Sequence, residues 1–363
     1  MKDFENCNPH GHSPSRLVRK TNTHQEASFF YIASEGFTEV NYFEIVKNKY
    51  DSFNLDVRRL IRFDQESGKS RPRSIMKSVI DYRHAVETGE YSVYLFAGDI
   101  IQQLYGLLVE EDKQKRDMVI RSSDDEGRIE RIKYLFKERW NNLKKKLYAV
   151  EKEIISVLIT DDEICREKMI IDKIDGTITC REFLQEYGYE KEMCDRIKVP
   201  KEIKRESYNK DRDRFFLVFD RDRKCWDRDC CEKYNTIIDD CINNGISPYV
   251  SNPSFEFWLI MHDDNMLKKI DENMMLRNEI EIDGVVHHYA EYILDKNLEC
   301  GYSKVMDLKS IFSKEPRTID RAMQNATSYA QKPEDLESNI GSNINQLIEI
   351  IEKESKKTRI HRI

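Results

Sequence analysis

Short apolar blocks alternate with amphipathic stretches along much of the chain, and this pattern predicts alternating strands and helices. The apolar blocks are rich in aromatic and β-branched residues and are too short for helices, so they are typical of buried strands. Strands are predicted at 28–33, 55–63, 215–219 and 246–250. Apolar residues at helical spacing predict helices from Tyr42 onward and at 74–88, 229–243 and 255–261.

Strands that alternate with helices predict an α/β fold with a mainly parallel sheet flanked by helices. The core is assigned to 27–99 and 213–263, with a flexible polar arm before it at 1–26. Between the two parts of the core, charged residues dominate 100–212 and apolar residues recur every three or four positions, which predicts a large helical insertion. Residues 264–363 are expected to form a helical C-terminal region that packs on the core.

The overall charge does not favour nucleic acid, because the 363 residues carry a formal net charge of -7. Any nucleic-acid site must therefore be a local basic surface. The chain has no uninterrupted apolar stretch of membrane-spanning length. Its nine cysteines are an odd number with no signal peptide before them, which indicates free thiols and a cytoplasmic location.

Zinc is the alternative use for some of these cysteines. One candidate set is Cys7, His10 and His12, and a second is Cys225, Cys230 and Cys231. Neither set has the paired C-x-x-C spacing of a structural zinc site. Free thiols are therefore the favoured interpretation.

Acidic residues stand where two of the predicted strands end. Glu35 follows the first strand, and Asp220 and Asp222 follow the strand at 215–219. The carboxyl ends of parallel strands meet at one edge of a sheet, where carboxylates repel one another unless a cation neutralises them. Several carboxylates with water suit Mg²⁺ or Mn²⁺. The alternative is that Asp220-Arg-Asp-Arg223 is only a solvated turn whose charges pair with each other.

Further polar residues near these ends have both a chemical and a structural interpretation. Glu39 is either a catalytic group or, with Thr38, a helix-capping pair. Glu256 either completes the acidic cluster or only favours the helix dipole. Lys224 either offsets charge on a phosphate or is an ordinary surface lysine. His262 is more often a structural hydrogen-bonding residue than a ligand, and Trp258 is expected in the core.

Three sequence blocks together resemble the RloB-like family. They are Tyr31-Ile-Ala-Ser-Glu-Gly-Phe-Thr-Glu-Val-Asn-Tyr-Phe43, Phe219-Asp-Arg-Asp-Arg-Lys224 and Ser251-Asn-Pro-Ser-Phe-Glu-Phe-Trp-Leu-Ile-Met-His262. They resemble its E-G-x-T-E-x-x-Y-F, D-x-D and S-N-P-x-F-E-x-W-x-x-x-H signatures in the same order. Gly301-Tyr-Ser-Lys304 and the tail also fit loosely. The resemblance covers about 27–90 and 213–350, and residues 91–212 depart from it.

The resemblance implies a Toprim-like core, similar to the catalytic cores of topoisomerases, primases and OLD nucleases. It matches Glu35 to the Toprim glutamate and Asp220 and Asp222 to the metal-holding D-x-D. It also implies a role in bacterial phage defence, often beside an ATPase partner. Mg²⁺ or Mn²⁺ at Glu35, Asp220, Asp222 and Glu256 is then the expected cofactor.

Basic clusters provide candidate contacts for nucleic-acid phosphates. They are Arg59, Arg62, Lys69, Arg71, Arg73 and Lys144. For Lys144 and its neighbours, a solvated helix face is the simpler interpretation. The insertion is expected to recognise a substrate, dock the ATPase or form a homodimer, and the sequence leaves these alternatives open.

Three functions remain in view. The first is a metal-dependent nuclease acting on RNA, including tRNA, or on DNA. The second is a non-catalytic Toprim-like subunit that senses a signal or binds an ATPase. The third, a primase-like polymerase, requires a nucleotide-triphosphate site, and the sequence has no Gly-rich phosphate loop.

Overall fold

The computed structural model describes residues 28–34, 36–52, 55–59, 79–80, 82–84, 87–88, 102–107, 110, 196, 209, 211–221, 234–298, 301–302, 308–312 and 315–360. Within this part of the chain, a five-stranded sheet forms the centre of the molecule. Its strands are β1 (Phe30–Ser34), β2 (Leu55–Arg59), β3 (Arg214–Asp220), β4 (Ile246–Asn252) and, at the far edge, Gly341–Ser342. The order is β2-β1-β3-β4, and these four strands are parallel.

Helices connect and cover the strands. The helices that follow β1, β3 and β4 are, in that order, α1 (Phe37–Tyr50), α2 (Tyr234–Asn243) and α3 (Phe255–Ile260). The C-terminal helices are α4 (Asp264–Leu267), α5 (Glu272–Arg277), α6 (Tyr289–Asn297), α7 (Lys309–Phe312), α8 (Ile319–Ala326), α9 (Pro333–Leu336) and α10 (Ile344–Ile360). Residues 79–80, 82–84, 87–88 and 102–107 are also helical.

Successive residues of the strands point to opposite faces of the sheet, and each face has its own core. In β3, Phe216 and Val218 join the core that contains α1, α3 and α10. Phe215, Leu217 and Phe219 join the core on the other face, which contains α2. Both faces are therefore buried, which explains why this strand is a continuous apolar run in the sequence.

The strand order reverses between β1 and β3, because β2 lies on one side of this pair and β4 lies on the other. From β1 it passes through α1 on one face to β2, whereas from β3 it passes through α2 on the other face to β4. The carboxyl ends of β1 and β3 are neighbours at this topological switch point. In parallel α/β sheets, such a point leaves a crevice in which ligands bind.

The predicted α/β class, with a mainly parallel sheet flanked by helices, is confirmed. Helix α1 begins at Phe37, earlier than the apolar spacing from Tyr42 indicated. Residues 60–63 of the predicted second strand and nearly all of the predicted insertion at 100–212 lie outside the described residues. The insertion and the domain bounds therefore stay predictions.

The prediction that 264–363 is helical was wrong in two places. A hairpin pairs β5 (Ile280–Ile282) with β6 (Val285–His287), and β7 (Gly341–Ser342) pairs antiparallel with β4. Asp283 and Gly284 form the hairpin turn with φ of 52° and 77°, values that Asp-Gly adopts readily. At Gly341 an added Cβ would lie 2.1 Å from the backbone oxygen of Ala330, so only glycine fits there.

Within the described part of the chain, no helix has both the length and the apolar character needed to cross a membrane.

Candidate functional site

Asp220 is the last residue of β3 and lies directly at the switch point. By strand alternation its side chain lies on the same face as Phe216 and Val218. Its Oδ1 accepts a hydrogen bond of 2.7 Å from the backbone N–H of Phe255, the first residue of α3. Ser254 is the N-cap residue of α3, but its hydroxyl makes no capping bond. Asp220 supplies the cap from the neighbouring strand instead.

The end of β4 is held by polar contacts that turn the chain into α3. Asn252 Nδ2 donates to the carbonyl oxygens of Leu336 and Asn339 at 2.7 and 2.9 Å. The N–H of Arg221 donates to Ser251 O at 2.8 Å, which extends the pairing of β3 and β4 by one step. The Asn252-Pro253 segment is thus fixed at the same edge as Asp220.

Glu39 lies in the first turn of α1 and its side chain folds back over the start of the helix. The residue is buried, and its Oε2 lies 2.6 Å from the position that a Cβ on Gly36 would occupy. Gly36 is the N-cap of α1 and has an extended backbone, so the close approach of Glu39 is what favours glycine there. A glutamate three residues after the N-cap has the spacing of a capping box but not its Ser or Thr N-cap, so both interpretations of Glu39 stay predictions.

Glu256 lies in the first turn of α3 and is buried with only 2% of its surface exposed. The hydroxyl of Tyr302 donates to Glu256 Oε1 at 2.8 Å, and the Thr38 side chain hydrogen-bonds to the same hydroxyl. Burial, followed by the charge of Glu256, raises the pKa of Tyr302 well above its usual value. The carboxylate is therefore held in a specific hydrogen-bond chain between α1 and α3, which goes beyond a favourable position in the helix dipole.

We call Thr38, Glu39, Asp220, Glu256 and Tyr302 the switch-point edge. Three of these residues were singled out in the sequence as acidic candidates, and Thr38 only as half of a capping pair. Tyr302 was not predicted as a site residue, because no spacing relates it to the strand ends. Its one signal was the position after Gly301, in the Gly-Tyr-Ser-Lys stretch that fits the family loosely.

His262 is a structural hydrogen-bonding residue, as its isolated position in the sequence predicted. It is fully buried, its Nδ1 lies 3.1 Å from Trp258 O, and its Nε2 lies 3.0 Å from the Tyr42 hydroxyl. Since a carbonyl only accepts, Nδ1 carries the proton and Nε2 accepts from Tyr42. Burial lowers the pKa of His262 to about 3, so the ring is neutral. We call Tyr42, Trp258 and His262 the anchor cluster, because it joins α1 to α3 in the core.

Arg221 follows Asp220 and lies on the opposite face of the sheet. It is buried, and its guanidinium carbon lies 5.2 Å from the ring centroid of Tyr234 in α2. The Tyr234 hydroxyl in turn donates to Pro333 O at 2.9 Å. This cation–π contact fixes the strand end that carries the D-x-D motif. The sequence offered this arginine only as part of a charged turn, and its burial was not predicted.

Several predicted site residues lie outside the described part of the chain. They are Glu35, Asp222, Lys224, Arg62, Lys69, Arg71, Arg73, Lys144, Cys7, His10, His12, Cys225, Cys230 and Cys231. Arg59 ends β2, but its side chain is among those left undescribed. Among the described residues, no three His, Cys, Asp or Glu side chains are grouped to hold a metal ion. The predicted four-residue metal set, two of whose members are undescribed, therefore stays a prediction.

Comparison with protein families identifies a relationship over the C-terminal part of the chain. A family model described as RloB-like protein matches residues 167–351, just over half of the chain. The match contains the D-x-D block and the Ser251–His262 block. It begins at residue 167, whereas the second part of the resemblance seen in the sequence begins at residue 213. No curated protein and no solved structure was found to match. Because the family model covers more than half of its length, the chain belongs to the RloB-like protein family.

Proposed function

We propose that this protein is a Mg²⁺- or Mn²⁺-dependent nuclease with a Toprim-like core. The observation that carries the proposal is the adjacency of β1 and β3 at the switch point. Asp220 ends β3, and Glu35 is the residue directly after Ser34, which ends β1. The Toprim resemblance pairs these same two positions in one metal site, and neighbouring strand ends support that pairing.

The donor set fits a hard divalent cation. Carboxylate oxygens are the ligands that Mg²⁺ prefers, and Glu35, Asp220 and Asp222 would hold it, with Glu39 or Glu256 completing the set. The Phe255 N–H bond orients the Asp220 carboxylate at the end of β3. A bound cation would polarise the phosphodiester and lower the pKa of an attacking water.

The chain's own residues prepare this chemistry in distinct ways. A hydrogen bond from the Phe255 N–H orients the side chain of Asp220, and one from the Tyr302 hydroxyl orients that of Glu256. A carboxylate held in this way can accept a proton from an attacking water if it lies within hydrogen-bond reach of that water. Lys224 would offset charge on the scissile phosphate, and Arg59, Arg62, Lys69, Arg71, Arg73 and Lys144 would contact the nucleic-acid backbone.

The family resemblance extends the proposal to biological context. It supports an effector role in bacterial phage defence, in the cytoplasm, beside an ATPase partner. A homodimer formed through the 100–212 segment is a further part of the proposal. RNA, including tRNA, and DNA are both retained as substrates, because the described residues include no contact that distinguishes them.

A second candidate function is a non-catalytic Toprim-like subunit that senses a signal or binds the ATPase. The capping bond from Asp220 to α3 favours it, since this carboxylate already has a structural role. The two functions differ in whether the charge of Asp220 matters or only its ability to accept a hydrogen bond.

Asp220→Asn separates these functions, because asparagine keeps an oxygen that accepts from Phe255 N–H but removes the negative charge. The variant would be combined with Asp222→Ala. Asp271→Asn is the matched control, since Asp271 caps α5 by accepting from Met274 N–H at 2.8 Å and lies in an exposed position. Each protein would be incubated with tRNA, single-stranded RNA and both forms of DNA, with Mg²⁺, Mn²⁺ or EDTA.

The nuclease proposal predicts metal-dependent cleavage by the wild type and by Asp271→Asn, and a loss of at least about a thousandfold in the Asp220→Asn, Asp222→Ala variant. Equal cleavage by all three proteins would mean a contaminant or a wrong site. If no protein cleaves, the assay is repeated with the ATPase partner present, and continued inactivity there would favour the non-catalytic subunit.

A further inference from the structure

Tyr302 is buried with 6% of its surface exposed and is held from both its backbone and its side chain. Its N–H donates to Asp295 Oδ1 in α6 at 3.1 Å. The preceding Gly301 has φ +69°, and an added Cβ there would lie 3.0 Å from the same Asp295 oxygen. Glycine is therefore required at 301, and the turn it makes delivers the Tyr302 ring into the core beside α3.

The hydroxyl of Tyr302 lies within a chain of hydrogen-bonded polar groups. It donates to Glu256 Oε1 at 2.8 Å, and it also bonds to the Thr38 side chain in the first turn of α1. A buried carboxylate needs hydrogen-bond donors to remain in place, and a donor to a charged acceptor makes one of the stronger hydrogen bonds. Tyr302 thus connects the residues after β1 with the residues after β4.

We propose that Tyr302 is a positioning residue that acts through Glu256, fixing the orientation of this carboxylate at the switch-point edge. The inference rests on the proposed metal-dependent function and assigns to that site a residue from outside the three sequence motifs. The geometry that carries it is the insertion of one buried hydroxyl between α1 and α3, in contact with an acidic residue of the edge. Tyr302 itself does not touch the substrate.

The test is a double-mutant cycle on the full chain with Tyr302→Phe, Glu256→Gln and the combined variant. Phenylalanine keeps the ring and loses only the hydroxyl, and glutamine keeps an acceptor for Tyr302. Tyr289→Phe is the matched control, because Tyr289 is also buried in the same core and its hydroxyl accepts from Asp271 N–H, on α5. Two quantities would be measured: Mn²⁺ affinity from the paramagnetic resonance of free Mn²⁺, and kcat and KM for cleavage.

Tyr302→Phe is expected to weaken Mn²⁺ binding or kcat by about tenfold, the usual effect of removing the partner of a ligating group, with KM nearly unchanged. In the Glu256→Gln background the same substitution is expected to change either quantity less than about twofold, because the group it acts through is already altered. Tyr289→Phe should leave both quantities at the wild-type level.

Each remaining outcome overturns the inference in a recognisable way. Equal losses from Tyr302→Phe in both backgrounds would mean that it acts by folding rather than through Glu256. An increase in cleavage would mean that the contact inhibits Glu256. An unchanged Tyr302→Phe with an active wild type removes the inference and leaves the proposed function standing. A wild type that neither binds Mn²⁺ nor cleaves overturns both.

Discussion

The anchor cluster and the switch-point edge both draw on α1 and on the segment that begins with α3, but they use their polar groups differently. In the anchor cluster, Tyr42 and His262 pair with each other and with a backbone carbonyl inside an apolar core. At the switch-point edge, Glu39, Asp220 and Glu256 bring carboxylates to the end of a parallel sheet. The Tyr31–Phe43 and Ser251–His262 blocks each contribute to both regions, so residues of one motif serve two purposes.

This division has a physical origin. Side chains one to two turns into α1 and α3 lie under the opposing helix, where leaving a polar group without a hydrogen-bond partner is costly. Side chains in the first turns lie beside the strand ends, where backbone N–H groups and the helix dipole favour anions. We therefore expect substitutions in the anchor cluster to lower stability, and substitutions at the edge to lower activity while the fold is kept.

The largest effect on stability is expected for Trp258→Ala. The indole is fully buried among the side chains that join α1 to α3. Its removal should cost about 4 kcal/mol of unfolding free energy, the range for deleting a large buried aromatic side chain. Urea denaturation followed by circular dichroism measures this cost, and a loss below about 1 kcal/mol would contradict the assignment of Trp258 to the anchor.

The pH dependence of stability is expected to report on His262. Burial lowers its pKa to about 3, below the value of about 6.5 in an unfolded chain. As pH falls below 6.5, the unfolded chain takes up the proton and the folded chain does not, so stability is lost. Between pH 7 and pH 5 this residue should account for a loss of about 2 kcal/mol.

The control for this prediction is His262→Gln, which removes the titrating group. Unfolding free energies of the two proteins would be compared across the same pH range. The wild-type curve should fall more steeply on the acid side, and parallel curves would show that His262 is not held neutral.

Tyr42→Phe is expected to have a moderate effect. The substitution leaves the ring packing intact but removes the donor to His262 Nε2, so a buried acceptor loses its partner. The expected cost is about 1–2 kcal/mol, with metal-dependent cleavage by the folded protein unchanged. If Tyr42→Phe lost cleavage at full stability, Tyr42 would belong to the functional site. The division between the anchor cluster and the switch-point edge would then be wrong.

Gly36→Ala should have the smallest effect on stability and a visible effect on function. The new Cβ would lie 2.6 Å from Glu39 Oε2, which is the end of a flexible side chain and is able to move. Unfolding free energy should change by less than about 0.5 kcal/mol, whereas displacement of Glu39 should reduce cleavage several-fold. Unchanged cleavage would show that the position of Glu39 is not used.

Parts of this arrangement were predictable from the sequence because they depend on local pattern. The apolar runs at 215–219 and 246–250 identify buried strands, and α2 ends at Asn243 as predicted, with Gly245 at φ +66° just beyond it. The hairpin at β5 and β6 was equally local, since β-branched residues flank Asp283-Gly284 on both sides. It was missed because the surrounding segment was interpreted as helical throughout.

Other parts depend on contacts between residues far apart in the chain. The capping of α3 by Asp220 and the bond from Tyr302 to Glu256 join segments separated by 35 and 46 residues. Burial of Arg221 against Tyr234 is set by the packing of α2, which no spacing in the sequence encodes. The sequence therefore names acidic candidates at strand ends but does not reveal which neighbours orient them.

The central claim is the proposal that Asp220 holds a divalent cation together with Glu35 and Asp222, which lie outside the described residues. The most direct test is Mn²⁺ binding to the wild type, Asp220→Asn and Asp271→Asn, measured by the paramagnetic resonance of the free ion. We predict that the wild type and Asp271→Asn bind with equal affinity and that Asp220→Asn binds at least about tenfold more weakly. Equal binding by all three proteins, or no binding by the wild type, would contradict the account.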